Sequence, residues 1–286
     1  TDTLAMLKAK GVPLVLGLRD VMDDPKLLGP EWHRKKAGPA LRDLYDDIWV
    51  YGLPQICDPL AEIPLSRAVK RKITYTGYLR RSVTSHKPRT TLASRIEAPY
   101  ILVTTGGGGD GETLIDWVLR AYEHDRHMPH PALLVLGPFM HTERQDEFLE
   151  RAGRLRQVEA ITFDAHLESA MAGAIGVVAM GGYNTFCEIL SFDKRALIVP
   201  RTSPRLEQYI RAERAQAFGL TRMLPDDGRR DVRLMVGALR RLAAQNLPSE
   251  ANVPGLLDGL DTVHRLTSRW LSVPAAPPRL AVASRV

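Results

Sequence analysis

The sequence predicts an α/β protein in which parallel sheets carry helices on both faces. Its 286 residues suffice for two domains of about 100–200 residues each. From Tyr100 onwards, short apolar runs alternate with helical patterns, which is the arrangement that gives a parallel sheet. Residues 81–98 are polar and lack apolar periodicity, so they are predicted to link two units.

Residues 1–80 are predicted to form the first domain. The chain opens in a helical pattern without a preceding strand, so we expect it to start inside a domain and this domain to be incomplete. Alternation and proline breaks predict strands at residues 12–18, 48–51 and 73–79, and a helix at residues 32–45.

Residues 99–248 are predicted to form the second domain. The predicted strands cover residues 101–104, 133–136, 161–163, 177–180 and 196–199. The predicted helices cover residues 112–122, 145–155, 167–172, 185–190, 206–218 and 232–244. Within residues 249–274 a last amphipathic helix is predicted at 256–271, and residues 275–286 are predicted to be a disordered tail.

The composition excludes several classes of protein. Hydrophobic residues make up 44% of the chain and charged residues 25%, which excludes a disordered or fibrous chain. The longest strictly apolar run, residues 170–180, is too short to span a bilayer, and no export signal opens the sequence. Two cysteines, Cys57 and Cys187, fit a reducing compartment. The sequence therefore predicts a cytoplasmic protein. Peripheral contact with the inner membrane is compatible with this prediction.

The positive charge is concentrated at residues 67–95, which we call the basic stripe. The stripe holds nine basic and no acidic residues, so it carries +9 while the whole chain carries +6 and the remainder −3. Few aromatic residues accompany it and no DNA-binding motif does, so no nucleic acid is predicted as a partner. An anionic acceptor, a membrane surface and a solvated linker all remain open as interpretations.

Four consecutive glycines follow the first strand of the second domain. A glycine loop between a strand and a helix presents backbone N–H groups and the positive helix end to an anion, which predicts phosphate binding. Gly106, Gly108 and Gly111 match the dinucleotide fingerprint, but no acidic residue ends the next strand at Leu136, which disfavours a redox site. No Gly-Lys-Ser/Thr follows the glycines, which excludes a P-loop.

A second strand–glycine–helix segment is found at residues 177–188. Gly181 and Gly182 precede a helix that offers a hydroxyl at Thr185, and Glu188 follows one turn later. Two such loops at the carboxyl ends of parallel strands face one crevice, where Glu188 would suit two ribose hydroxyls. A solvated helix residue is the alternative interpretation of Glu188.

These residues resemble a known family. The segments Met180-Gly-Gly-Tyr-Asn-Thr-x-x-Glu188, Ala196-Leu-Ile-Val-Pro-Arg201 and Pro204-Arg-x-Glu-Gln208 resemble the donor-binding half of GT-B glycosyltransferases of the family 28 type. That family includes the N-acetylglucosaminyl transferase of peptidoglycan synthesis. Two further segments, Gly17-Leu-Arg-Asp20 with Asp23-Asp-Pro25 and Tyr75-Thr-Gly-Tyr-Leu79, resemble a group of bacterial predicted glycosyltransferases. The resemblance covers residues 11–245.

The resemblance implies a GT-B fold of two Rossmann-like domains and a hexosyl transferase that uses a nucleoside-diphosphate sugar, UDP-sugar above all, without metal or cofactor. The diphosphate would lie between the glycine loops, Arg80 would neutralise it, and the base would be read by backbone near Phe163. The donor-binding residues so implied are Arg80, Gly106, Gly107, Gly108, Gly109, Phe163, Gly181, Gly182, Asn184, Thr185, Glu188, Glu207 and Gln208.

The acceptor side is less well marked. Asp20 at the end of a predicted strand is the candidate general base, with Arg19 beside it, and a loop-capping aspartate is the alternative. The expected acceptor is a glycan or lipid-linked molecule of a cell-envelope polysaccharide. A nucleotide-sugar-binding subunit that needs a partner chain and a nucleotide-sugar epimerase are the alternative functions. Asp110 is unexpected in a phosphate loop, because a carboxylate repels a diphosphate unless a cation or an acceptor amine intervenes.

Overall fold

Two parallel sheets organise the protein. The computed structural model describes residues 2–83, 99–107, 109–164 and 166–271. The first sheet has three strands and the second has six. Most of the predicted linker, from residue 84 to 98, and the whole predicted tail lie outside the described residues.

The first unit is a parallel sheet in the order β1-β2-β3. Its strands are β1 (Val15–Arg19), β2 (Asp47–Tyr51) and β3 (Ile73–Tyr75), and its helices are α1 (Asp2–Ala9), α2 (Pro25–Arg34), α3 (Ala37–Asp43) and α4 (Arg67–Lys70). The single helix predicted at residues 32–45 is wrong, because Lys36 adopts a left-handed conformation (φ 50°) that separates α2 from α3.

The second unit is a six-stranded parallel sheet in the order β6-β5-β4-β7-β8-β9. The strand order reverses between β4 and β7, as in doubly wound nucleotide-binding folds. The strands are β4 (Ile101–Thr104), β5 (Ala132–Val135), β6 (Val158–Ile161), β7 (Gly176–Ala179), β8 (Arg195–Ile198) and β9 (Arg222–Met223). The helices are α5 (Glu112–His124), α6 (Thr142–Gly153), α7 (Leu167–Gly173), α8 (Tyr183–Ser191), α9 (Glu207–Ala217), α10 (Val232–Leu242) and α11 (Gly259–Leu271).

The strand predicted at residues 161–163 is wrong by about three residues. β6 runs from Val158 to Ile161, because those residues pair in register with Ala132 to Val135 of β5. Phe163 therefore lies beyond the carboxyl edge of the sheet, with 60% of its surface exposed.

An apolar cluster joins the two units. Tyr78 is fully buried and packs edge-on against Phe186 of α8, with ring centroids 5.3 Å apart. Leu53 and Ile56 from the first unit belong to the same cluster. The strand predicted at residues 73–79 ends early, at Tyr75, because the chain turns here to pack against residues 255–259. A Cβ on Gly77 (φ +87°) would collide with the carbonyl of Gly255.

The last helix crosses back to the first unit. In α11, Trp270 stacks on Trp49 of β2 with ring centroids 5.9 Å apart and an interplanar angle of 11°. The neighbouring Arg269 forms an ion pair with Asp47. The C-terminal helix therefore packs against the first unit, although it follows the second unit in the chain.

Part of the basic stripe has a structural role. Lys72 donates from Nζ to the carbonyls of Arg42 at 2.7 Å and Tyr45 at 2.6 Å, which closes the end of α3. Three of its nine basic residues, Lys87, Arg89 and Arg95, lie outside the described part of the chain. Among the helices that the structure describes, none combines the length and apolarity needed to cross a bilayer.

Candidate active site

A cleft of about 280 Å³ opens at the carboxyl edge of the second sheet, where the strand order reverses between β4 and β7. Ligands of doubly wound folds bind at this position because loops from neighbouring strands diverge there. Its walls are formed by Arg19, Thr104, Thr105, Gly106, Gly107, Asp110, Met180, Gly181, Gly182, Tyr183, Asn184, Thr185, Arg201 and Gln208.

The first glycine loop, residues 105–111, connects β4 to α5. Thr105 fixes its start by donating from Oγ1 to the carbonyl of Leu136 at 2.6 Å. The carbonyl of Gly107 accepts from the N–H of Phe139 at 2.9 Å, which ties the loop to the chain after β5. Gly106, Gly107 and Gly109 are exposed, whereas the predicted contact Gly108 lies outside the described residues.

The second glycine loop, residues 180–182, connects β7 to α8. Gly181 has φ +81°, and a Cβ there would lie 2.7 Å from Cγ2 of Ile198, so the position requires glycine on both counts. Gly182 is the N-cap of α8, and its helix brings Asn184 and Thr185 to the cleft. Both strand–glycine–helix segments therefore face one cleft.

Arg211 of α9 holds the second glycine loop from behind. Its side chain is 1% exposed and donates from Nη1 to the carbonyl of Gly181 at 2.8 Å. The same guanidinium pairs with Asp20, at 2.7 Å between Nη2 and Oδ1. Arg211 is not predicted from the sequence, because nothing in a helical pattern distinguishes a buried arginine from an exposed one.

Asp20, the predicted general base, is surrounded by hydrogen-bond donors. It is fully buried, and its carboxylate accepts from Arg211, from the hydroxyl of Tyr78 at 2.9 Å and from the N–H of Val21 at 2.8 Å. These contacts describe a structural role for Asp20, and the alternative of a loop cap accounts for its bond to Val21. Its assignment as a general base stays a prediction.

Arg19, in contrast, reaches the cleft. Its guanidinium carbon lies 5.9 Å from the ring centroid of Tyr183, and the residue is exposed. Alternation along β1 accounts for the difference, since neighbouring side chains point to opposite faces. Arg19 therefore brings one positive charge from the first unit to the cleft in the second.

The contact between the end of the first unit and α8 is made by Arg81. Its Nη2 donates to Oδ1 of Asn184 at 3.2 Å, and its backbone N–H donates to Oγ of Ser191 at 2.8 Å. Arg80, the predicted phosphate contact, is exposed beside it. Phosphate binding by Arg80 stays a prediction, and Arg81 is a second candidate for the same contact.

Glu188 lies on α8, one turn beyond the cleft-lining Thr185. Burial, followed by the charge of Glu168 at the start of α7, raises the pKa of Glu188 to about 7, while Arg81 opposes the shift. A half-buried carboxyl group beside a second carboxylate can accept a proton or bind hydroxyl donors. Glu188 is therefore not the solvated helix residue of the alternative interpretation. Its binding of ribose stays a prediction.

A cluster of charged side chains around Arg201 forms another part of the cleft wall. Arg201 follows β8, and its Nη2 donates to Oε1 of Glu207 at 2.7 Å. The backbone N–H of Arg201 donates to Oε1 of the buried Gln208 at 3.2 Å. Asp110 from the first glycine loop pairs with the same guanidinium, at 2.8 Å between Nε and Oδ2. Arg201 is thus the cation that the position of Asp110 requires.

Cys187 is fully buried in α8, and burial raises the pKa of its thiol to about 11, so it is a poor nucleophile. Phe139, beside the first glycine loop, is 76% exposed, and no role is predicted for it from the sequence. With Phe163 it gives this edge of the sheet two exposed aromatic rings.

Comparison of the sequence with models of protein families identifies the family of this chain. The sequence model of the glycosyltransferase family 28 C-terminal domain matches residues 100–252, which include both glycine loops and α9. The chain belongs to glycosyltransferase family 28. A comparison with curated protein sequences finds no match.

Solved structures similar to this family 28 chain are glycosyltransferases. The calicheamicin glycosyltransferase CalG4 is 15% identical with a TM-score of 0.56, over 95% of this chain and 63% of CalG4. MurG of Acinetobacter baumannii is 13% identical with a TM-score of 0.56, over 93% of this chain and 69% of MurG. UGT2 of Phytolacca americana, solved with UDP-2-fluoroglucose and pterostilbene, is 12% identical with a TM-score of 0.60, over 95% and 74%.

These similarities show the fold. The family 28 chain has the GT-B architecture of Rossmann-like α/β units, as predicted. It spans less than two thirds of the length of CalG4.

Proposed function

We propose that this chain binds a nucleoside-diphosphate sugar in the cleft and transfers the sugar to an acceptor hydroxyl. The observation that supports this most directly is the pair of glycine loops at the strand-order reversal, each leading into a helix N-terminus at the same cleft. Backbone N–H groups and two helix dipoles there suit the charge of a diphosphate.

The reaction would depend on stabilising the leaving group. The bond between the anomeric carbon and the diphosphate oxygen breaks as the acceptor oxygen bonds to that carbon, and the acceptor hydroxyl releases its proton to a base. Negative charge therefore grows on the diphosphate. Oriented N–H groups and cations that are already in place lower the free energy of such a transition state. Arg19 lines the cleft, and Arg80 and Arg81 lie where the first unit meets α8.

The donor is proposed to be a UDP-hexose. Glu188 would accept hydrogen bonds from the ribose hydroxyls, Glu207 and Gln208 would hold sugar hydroxyls, and backbone near Phe163 would contact the base. One supporting comparison is UGT2, whose structure contains UDP-2-fluoroglucose in the same fold. No metal or other cofactor is proposed for the transfer.

The acceptor and the cellular location are proposed from the charge of the basic stripe. A glycan or lipid-linked acceptor of a cell-envelope polysaccharide would suit the basic stripe, since its described part includes exposed residues such as Arg67, Arg71 and Arg80. A basic surface attracts anionic lipid headgroups. The proposed location is the cytoplasm, with peripheral contact at the inner membrane.

A donor-binding subunit is the second candidate function. The burial of Asp20 favours it, because the one carboxylate expected to deprotonate an acceptor is paired with Arg211. A chain with a donor cleft and no general base would need a partner to complete the site. The nucleotide-sugar epimerase has no comparable observation in its favour.

Titration calorimetry with UDP, GDP and dTDP, followed by an assay of sugar-nucleotide turnover, tests the proposal. Binding with turnover supports the transferase, and binding without turnover supports the subunit. A chain that binds none of the three diphosphates contradicts both.

A variant tests the ribose contact. Glu188→Ala should weaken nucleotide binding by about 1–3 kcal/mol if the carboxylate holds ribose hydroxyls. Glu143→Ala on the exposed face of α6 is the matched control and should leave affinity unchanged. An unchanged affinity in Glu188→Ala would remove that residue from the site.

A further inference from the structure

The guanidinium of Arg201 pairs with two carboxylates that come from different segments of the second unit. Glu207 is bound at 2.7 Å between Nη2 and Oε1, and it begins α9 in the same wall as Arg201. Asp110 reaches Nε from the first glycine loop, at 2.8 Å. Asp110 and Arg201 both line the cleft that the diphosphate is proposed to enter, so their ion pair lies at the proposed phosphate site.

The two carboxylates hold Arg201 with different strength. The Glu207 side chain is 16% exposed, whereas that of Asp110 is 53% exposed. The Nε of Arg201 is buried, yet among the described residues it has no acceptor with hydrogen-bond geometry, so Asp110 contributes charge without an aligned bond. A poorly aligned ion pair with one partner half exposed to solvent contributes little to stability, so Asp110 can leave it at small cost.

Arg201 would stay in place without Asp110. Its Nη1 donates to the carbonyl of Ser203 at 3.1 Å, and Nη2 remains bound to Glu207. The unpaired Nε–H would then be available to an anion in the cleft. Guanidinium groups bind phosphate oxygens through short charge-assisted hydrogen bonds. These bonds are stronger than a misaligned contact with a solvent-exposed carboxylate.

We propose that the Asp110 carboxylate pairs with the guanidinium of Arg201 while the cleft is empty. When the donor binds, its diphosphate replaces this carboxylate on the guanidinium. This inference rests on the proposed function. The exchange involves no covalent step: Asp110 turns towards solvent, which also removes its repulsion of the phosphates. Asp110 is then a built-in competitor that lowers donor affinity, and Arg201 is a binding residue for the donor.

The test measures UDP affinity in charge variants of the full chain by titration calorimetry. Asp110→Asn should bind UDP about two- to fivefold more tightly, the equivalent of one exposed ion pair removed as competitor. Arg201→Gln should bind UDP at least about tenfold more weakly, because a charged hydrogen bond is lost. Asp43→Asn is the matched control: its carboxylate is 55% exposed, pairs with Arg42, and lies on α3 in the first unit.

A second ligand separates phosphate recognition from a general effect on the cleft. Uridine carries no phosphate, so its affinity, measured by NMR titration, should be the same in wild type and Asp110→Asn. Thermal unfolding of each variant verifies that it is folded, and Arg201→Lys, which restores the charge, should recover part of the UDP affinity.

The outcomes separate this inference from the proposed function. Asp110→Asn that binds UDP no more tightly than wild type, or Arg201→Gln that binds it equally well, overturns the inference and leaves the proposed function standing. Tighter uridine binding in Asp110→Asn also overturns it. A wild-type chain that binds none of UDP, GDP and dTDP overturns both.

Discussion

The carboxylate of Asp20 and the guanidinium of Arg211 form an ion pair that is closed to solvent and joins the two units. The residues are 0% and 1% exposed, and Nη2 lies 2.7 Å from Oδ1. Tyr78 donates to the other carboxylate oxygen at 2.9 Å, and Arg211 also holds the carbonyl of Gly181. One buried arginine therefore connects β1, α9 and the second glycine loop.

Asp20→Asn should destabilise the fold by about 3–5 kcal/mol, because it leaves the buried charge of Arg211 without its partner. Urea unfolding followed by circular dichroism measures the change in the free energy of unfolding. Asp43→Asn, which breaks the exposed pair with Arg42, should cost less than about 1 kcal/mol. Equal effects of the two substitutions would contradict the structural role assigned to Asp20.

The two glycines of the second loop should respond differently to alanine. Gly181→Ala introduces a Cβ at φ +81° and 2.7 Å from Ile198, so it should cost about 1–3 kcal/mol and shift the loop. A Cβ on Gly182 would meet no atom within 4 Å, and Gly182→Ala should be tolerated within about 1 kcal/mol. Thermal unfolding of both variants checks this, and a Gly182→Ala variant as unstable as Gly181→Ala would refute it.

The sequence was sufficient to predict the local parts of the site. Each glycine loop is a strand, a turn and a helix start within about a dozen residues, so composition and periodicity reveal it. The ion pairs that hold the loops around the cleft are not local. Asp20 and Arg211 are 191 residues apart, and Asp110 meets Arg201 across two loops. Only the strand order brings such residues together.

Errors in the predicted elements have the same cause. β6 begins at Val158 because it pairs with β5, although the apolar pattern favours residues further along. β3 ends at Tyr75 because Gly77 meets the backbone of Gly255, a contact between distant segments. Tertiary pairing overrides the local pattern in both cases.

The stability of the protein should depend on the ionisation of Glu188. Burial and Glu168 raise its pKa from 4.5 to about 7 in the folded state. The folded chain then retains a proton that the unfolded chain has lost, so stability falls as the pH rises from about 4.5 to 7. Glu188→Gln should gain about 1 kcal/mol over wild type at pH 8, after allowance for partial exposure, and nothing at pH 4.

Unfolding in urea at several pH values measures that difference. Glu168→Gln is the companion variant: it removes the neighbouring charge and lowers the pKa of Glu188 in the folded state, so the decline in stability should end at a lower pH and be smaller. A difference between Glu188→Gln and wild type that is constant from pH 4 to pH 8 would rule out a raised pKa.

The stacking of Trp270 on Trp49 should anchor the C-terminal helix to the first unit. The rings are nearly parallel at 5.9 Å, and Arg269 adds an ion pair with Asp47. Trp270→Ala should lower the free energy of unfolding by about 2 kcal/mol, from the lost aromatic contact and the apolar surface it covers. Trp270→Phe keeps a ring in place and should recover more than half of the loss. Leu271, with 81% of its surface exposed, is the control, and Leu271→Ala should change stability by less than about 0.5 kcal/mol. If Trp270→Ala were as stable as wild type in urea unfolding, α11 would be held by its other contacts alone.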